Sequence, residues 1–259
     1  MGALHAGHLH LVAEAKRHCA EVVVSIFVNP LQFGANEDFG RYPRPIEEDK
    51  ALLQQAGADI LYTPAVETMY PAGFCSSVKV GGNLSEVLCG AHRPGHFDGV
   101  ATVVTKLFQQ VRPQLAFFGE KDFQQLAIIR RVTDDLDLGV TVQGVPTVRD
   151  TDGLALSSRN RYLSPQERQQ AALLPETLRT CLHRLQQHPA QHRAITVEAA
   201  ARLQASGFRA VDYLECRHQH TLQRPPAEGM FSLPEYRLFV AAYLGKTRLI
   251  DNLPCDSTF

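Results

Sequence analysis

Two periodicities alternate along the first part of the chain. Val22-Val23-Val24-Ser25-Ile26-Phe27-Val28 is an almost unbroken apolar run rich in β-branched residues. Such a run predicts a strand covered on both faces, hence a parallel sheet flanked by helices. Ahead of it, Leu9, Val12, Ala13 and Lys16 recur at helical spacing and predict a helix over residues 8–19. Residues 46–56 read as a second helix, stopped by Gly57, and 60–62 as a short strand. Residues 77–80 look like a minor strand before Gly81-Gly82. Asp98 is placed to cap a helix to Val111, which Pro113 cannot continue. A buried strand at 115–118, a polar turn, a helix over 123–136 and a strand at 140–145 follow. Strand, helix, strand repetition of this kind predicts an α/β fold with a Rossmann-like, doubly wound parallel sheet.

The texture changes at Pro146. A polar loop covers 149–161, and Ser164-Pro165-Gln166-Glu167 has the form of a capping box opening a helix to about Gln187. A helix over 196–206 and strands at 210–217, 236–244 and 247–250 close the chain. The expected division is a nucleotide-type domain at residues 1–147 and a smaller α+β domain at 148–259.

Composition narrows the class. A net charge of −1 argues against a dedicated nucleic-acid or membrane-surface binder. No apolar run approaches the ~20 residues of a membrane span, and the first residues lack the apolar segment of a signal peptide. Six cysteines without a C-x-x-C pair read as reduced thiols of a cytoplasmic protein.

Four segments carry candidate chemistry. Met1-Gly2-Ala3-Leu4-His5-Ala6-Gly7-His8 sets two histidines where a helix begins, and a helix N-terminus suits a phosphate. Two surface histidines, or a metal pair, fit the same residues. Gly119-Glu120-Lys121-Asp122 follows the carboxyl end of a strand, where open α/β sheets bind ligands; it also fits an ordinary solvated turn. Ser157-Ser158-Arg159-Asn160-Arg161 offers hydroxyls and guanidinium groups to phosphate oxygens, or is a polar linker. In Asn29-Pro30-Leu31-Gln32-Phe33, Gln32 offers a donor and an acceptor to a small polar substrate; the alternative is a turn packed by its own aromatic ring.

His5-Ala6-Gly7-His8 resembles the H-x-G-H signature of the nucleotidyltransferase superfamily. The strings MGALHAGH, VVVSIFVNPLQFG, FFGEKDFQQLAIIRR and GVPTVRDTDGLALSSRNRYLS together resemble the pantothenate synthetase (pantoate–β-alanine ligase) family. That resemblance implies ATP-dependent condensation of pantoate with β-alanine through a pantoyl adenylate, releasing AMP and pyrophosphate, with Mg2+ and as a homodimer. It places ATP against Met1, Gly2, Ala3, Leu4, His5, Ala6, Gly7 and His8, with His8 as proton donor and His5 assisting the phosphates. It also gives ATP Gly119, Glu120, Lys121 on phosphate, Asp122 on ribose, Val148 near adenine, and Leu156, Ser157, Ser158 and Arg159. Gln32 is implied for pantoate and β-alanine, Gln125 and Asn29 for pantoate, and Asp49 for help in placing magnesium. The segment 93–97 resembles a loop over the cleft and receives no chemistry. Leu156 stands where the family commonly has Met, a volume-conserving change. In the family a strand leads into the Met-Gly-Ala-Leu-His turn, so the expected sheet lacks its first strand. Either the start lies upstream, which the intact motifs favour, or the chain is a truncated, inactive nucleotide-binding remnant. Another H-x-G-H nucleotidyltransferase is the remaining alternative.

Overall fold

A computed structural model describes residues 1–34, 37, 39–227 and 231–256. These fall into two compact units. The first comprises Met1–Glu86, Arg93–Glu120 and Gln124–Val148; the second comprises Val87–His92, Lys121–Phe123 and Arg149–Phe259.

In the first unit, α1 (Ala6–His18) leads to β1 (Val23–Ser25), and α2 (Ile46–Gln55) leads to β2 (Ile60–Tyr62). β1 and β2 pair in parallel, Val24 opposite Leu61. The single-turn helices α3 (Val66–Met69) and α4 (Asn83–Glu86) follow, then α5 (Cys89–His92), which groups with the second unit, and the long α6 (His96–Val111) of the first. β3 (Leu115–Gly119), α7 (Phe123–Asp135) and β4 (Thr141–Val145) form a parallel crossover, with Phe117 opposite Gln143. Val12 and Ala15 on α1 pack with Leu4, Val22 and Leu53, against Val24, Leu61 and Phe117 of the strands. Burying each such Val or Leu contributes about 1.5–3 kcal/mol.

Several expectations need correction. The apolar run 22–28 yields only three strand residues, and Val23 is 36% exposed. Among the described residues β1 pairs with β2 alone, and while Val24 packs into the core, Val23 leaves its other face exposed. The parallel strands thus form two pairs, β1–β2 and β3–β4. Residues 77–80 form no strand; the N–H of Val78 donates instead to Thr102 Oγ1 at 2.9 Å. α6 starts two residues before Asp98, because Gly95 takes the left-handed conformation (φ +77°) and serves as its N-cap.

In the second unit, α8 (Pro165–Ala171), α9 (Leu173–Gln187) and α10 (His192–Ala205) accompany an antiparallel sheet of β5 (Ala210–His218), β6 (Tyr236–Leu244) and β7 (Thr247–Pro254), in that order. The Ser164–Glu167 capping box forms as its sequence implies. Leu174, Leu178, Leu182 and Leu185 recur at helical spacing on α9 and bury against Leu238, Val240 and Leu253 of the sheet.

Candidate active site

The turn before α1 is held from α2. Gly2 and Ala3 both have left-handed backbones, φ +87° and +53°. For Ala3 that conformation costs roughly 1–2 kcal/mol. Asp49 offsets it: its Oδ2 accepts the N–H of Ala3 at 2.9 Å, and its Oδ1 accepts that of Leu4 at 2.8 Å. A Cβ on Gly2 would lie 3.0 Å from Asp49 Oδ2 and 3.2 Å from Ile26, so at φ +87° any larger residue is strained and presses on both. Asp49 was expected to help place magnesium. It is 1% exposed, with each carboxylate oxygen bonded to the turn, and so does not fit as a metal ligand. Among the described residues, no group of three or more His, Cys, Asp or Glu is placed to hold a metal.

The turn delivers both histidines to one helix end. His5 is the N-cap of α1 and His8 its third residue, joined in a capping box. His5 Nδ1 accepts the N–H of Gly7 at 3.1 Å, and His8 Nδ1 accepts the N–H of His5 at 3.3 Å. The ring centroids are 4.0 Å apart. A nitrogen that accepts cannot carry the proton, so in each neutral ring the N–H is on Nε2. Two Nε2–H donors therefore accompany a helix N-terminus whose first turn holds no acidic residue. Both features suit an anion.

Gln32 is brought beside the turn, its Nε2 3.2 Å from Met1 Sδ. It ends a 3-10 turn, Pro30–Gln32, capped by Asn29. Asn29 was expected to hydrogen-bond pantoate. Instead it is 1% exposed, and its side chain is fully engaged inside the protein. Its Nδ2 donates to Gln32 Oε1 and to the carbonyl of Gly99, both at 3.0 Å. Its Oδ1 accepts from Tyr70 at 2.7 Å and from the N–H of Leu31 at 3.3 Å. Burial pushes the Tyr70 phenol up to about 12, so it remains a donor. Gly99 lets α6 approach this turn, since a Cβ there would meet the Leu31 carbonyl oxygen at 2.3 Å.

The segment 93–97, given no chemistry from sequence, fixes the Gln32 main chain. His96 Nδ1 donates to the Gln32 carbonyl at 2.7 Å and Arg93 donates to it at 3.4 Å. Arg93 also reaches His96 Nε2 at 2.9 Å and pairs with Glu37. The Gly95 turn ahead of α6 was the one signal in the sequence that this segment bends back.

The other candidates divide between the units. Gly119 ends β3 and Glu120 opens the 3-10 turn after it, Gln125 is half-buried in the first turn of α7, and Val148 follows β4, all in the first unit. Lys121, Asp122, Leu156, Ser157, Ser158 and Arg159 belong to the second. There Ser157 caps a 3-10 turn, Ser158–Tyr162, its Oγ accepting the N–H of Arg159 at 3.3 Å.

Comparison with known proteins identifies the family. A family model described as pantoate-beta-alanine ligase matches residues 1–254. A pantothenate synthetase of Sphingopyxis alaskensis is 53% identical over 258 residues, covering 98% of this chain and 89% of the relative. One of Rhizorhabdus wittichii is 54% identical over 256 residues, covering 99% and 89%. Among solved structures, a pantoate-beta-alanine ligase (pantothenate synthetase) of Thermus thermophilus superposes with a TM-score of 0.91 at 50% identity, covering 98% of this chain and 91% of that one. A pantoate-beta-alanine ligase of Francisella tularensis, complexed with beta-gamma ATP and beta-alanine, gives 0.80 at 31% identity, covering 100% and 88%.

Proposed function

The chain belongs to the pantoate–β-alanine ligase family, and we propose that it runs this ligation through a pantoyl adenylate formed at the His5–His8 end of α1. The overall activity is ATP-dependent ligation of pantoate to β-alanine. The family match sets aside another H-x-G-H nucleotidyltransferase.

In the first step a pantoate carboxylate oxygen attacks the α-phosphorus of ATP, and the bond to the bridging oxygen of pyrophosphate breaks. In the second the β-alanine amine attacks the acyl carbon, the carbonyl-to-phosphate C–O bond breaks, AMP leaves, and the nitrogen loses a proton. Negative charge grows on the phosphate oxygens in the first step. Donors fixed beforehand stabilise that charge most when they need not reorganise. The Nε2–H groups of His5 and His8, oriented by the capping box, are such donors, and this arrangement is the observation that carries the reading. His8 is the proton donor. Gln32 holds pantoate, then β-alanine, with its main chain set by Arg93 and His96. Asn29 acts through Gln32. Gln125 binds pantoate.

Met1 to His8, Gly119, Glu120, Lys121 and Asp122 bind ATP, with Val148, Leu156, Ser157, Ser158 and Arg159. Lys121 and Arg159 are the cations for its phosphates. Magnesium enters as the ion ATP carries on its phosphates, which suits its preference for phosphate and water over a protein cage. The expected boundary at 147/148 moves to 148/149, with 87–92 and 121–123 grouping with the second unit; the first unit is the nucleotide- and pantoate-binding one.

We place the protein in the cytoplasm as a homodimer. Its cysteines are free, as expected in a reducing compartment, and no helix of the described residues is long and apolar enough to cross a membrane. Light scattering at assay concentration tests the dimer, and a monomeric mass would contradict it. The chemistry is tested by AMP release, which is expected to require both pantoate and β-alanine and to collapse in His8→Ala. Pyrophosphate release with pantoate alone is expected in a first turnover.

A further inference from the structure

Lys121 sits in a turn whose chain neighbours belong to the first unit, yet Lys121–Phe123 groups with the second. The reason is a buried polar frame. Asn252, on β7 and 3% exposed, donates from Nδ2 to the Lys121 carbonyl at 2.9 Å. Its Oδ1 accepts from the guanidinium of Arg237, itself 5% exposed on β6. That guanidinium lies 3.8 Å from the centroid of the Phe123 ring, which also packs on Phe239, the residue opposite Asn252 across the β6–β7 ladder. A buried cation stacked on a ring and bonded to an amide is a stiff attachment.

The same frame reaches the serine-rich loop. The Asn252 carbonyl accepts from Arg149 at 3.3 Å. Arg149 also pairs with the fully buried Asp251 carboxylate through both guanidinium ends, at 2.7 and 2.8 Å. It holds the Gly153 carbonyl at 2.9 Å and bridges to Ala155. Asn160 Nδ2 returns to the Ala155 carbonyl at 3.1 Å, closing the loop that carries Ser157 to Arg159. One network therefore sets the main chain of Lys121 and of the 156–159 loop together.

We propose that Asn252 is a positioning residue for ATP, acting through Lys121: with Arg237 and Phe123 it locks that lysine into the frame that presents Ser157–Arg159, so that triphosphate binding draws on both as one rigid group. This rests on the assignment of Lys121 to phosphate made above. In this proposal Asn252, Arg237 and Phe123 act only through where the lysine stands. A misplacement of the order of 1 Å in such a group costs roughly a hundredfold in rate.

Asn252→Asp isolates the contact. The new carboxylate still accepts from Arg237 but has no hydrogen for the Lys121 carbonyl. Pantoate-dependent ATP–pyrophosphate exchange is measured in Asn252→Asp, Lys121→Ala and the double variant, with thermal melting of each. The expected result is a ten- to hundredfold loss in kcat/KM for ATP in Asn252→Asp, an unchanged KM for pantoate, and no further loss when it is added to Lys121→Ala. Phe123→Leu, which removes the ring under Arg237, is expected to show the same dependence on Lys121, and it serves if Asn252→Asp melts early. Wild-type exchange in Asn252→Asp beside an impaired Lys121→Ala would overturn the positioning role alone. Losses that multiply in the double variant would do the same, as the mark of a general structural effect. A fully active Lys121→Ala would overturn the assignment of Lys121 to phosphate, and the positioning role with it.

Discussion

The capping box gives His8 two separable duties, and single-atom logic can divide them. Its Nδ1 accepts the His5 N–H at 3.3 Å, a structural duty, while its Nε2–H is the proposed phosphate donor. Asparagine sets an oxygen near the position of Nδ1 but has nothing near Nε2. Glutamine reaches the Nε2 position with an amide N–H but lacks the near acceptor. Loss of a cap acceptor costs about 0.5–2 kcal/mol of stability. Loss of one fixed donor to a developing oxyanion costs about 100- to 1,000-fold in kcat, or roughly 2.7–4 kcal/mol. His8→Asn is therefore expected to melt close to wild type while pantoate-dependent ATP–pyrophosphate exchange falls by about two to three orders of magnitude. His8→Gln is expected to melt lower and to keep more of the exchange, and His8→Ala to lose on both counts. The assay pairs exchange rates with melting curves on the same preparations. If His8→Asn exchanges at the wild-type rate, or faster than His8→Gln, the far nitrogen is not the working atom and the reasoning fails.

Three further substitutions probe the supports. Asp49→Asn leaves one of the Ala3 and Leu4 N–H groups facing an amide N–H, and unmatched buried groups cost about 1–3 kcal/mol; a lowered melting temperature with slowed exchange is expected, and an unchanged one would mean the turn does not depend on α2. Gly99→Ala forces a methyl against the Leu31 carbonyl, so KM for pantoate should rise; unaltered pantoate kinetics would detach Gln32 from that role. On α10, burial holds the His192 pKa below its ordinary 6.5, aided by Arg193 and Arg224 and opposed by the Pro226 carbonyl. The unfolded chain then takes up the proton first, so the stability owed to the neutral ring is complete above about 6.5 and falls as the pH drops toward the lowered folded value. Melting between about pH 8 and pH 5 should fall more steeply for wild type than for His192→Gln, and parallel curves would contradict this.

What the sequence made legible was local. The spacing of Leu9, Val12, Ala13 and Lys16 gave α1, and the Ser164–Glu167 pattern gave the start of α8, because both depend on neighbours within a turn. Asp98 was misread as a cap because a left-handed Gly95 outranks a side-chain cap, and glycine conformation is not written in periodicity. The run 22–28 read as a strand covered on both faces because apolarity reports what a segment can bury, not how many of its residues join a ladder. At the site, the H-x-G-H spacing identified the helix end. The duties of Asp49 and Asn29 were not legible, since Asp49 meets its partners 45 and 46 residues away and Asn29 meets two of its own 41 and 70 away, in Tyr70 and Gly99. Asn252 and Arg237 are harder still: polar residues on buried strands, they make sense only once a ladder register sets them beside a turn 131 residues distant from Asn252.

The most direct test is a crystal structure with a non-hydrolysable ATP analogue and pantoate. The α-phosphate oxygens should lie within about 2.7–3.1 Å of the Nε2 atoms of His5 and His8, with the pantoate carboxylate in line behind the phosphorus. A triphosphate bound away from the start of α1, with both imidazoles facing only water, would contradict the central claim.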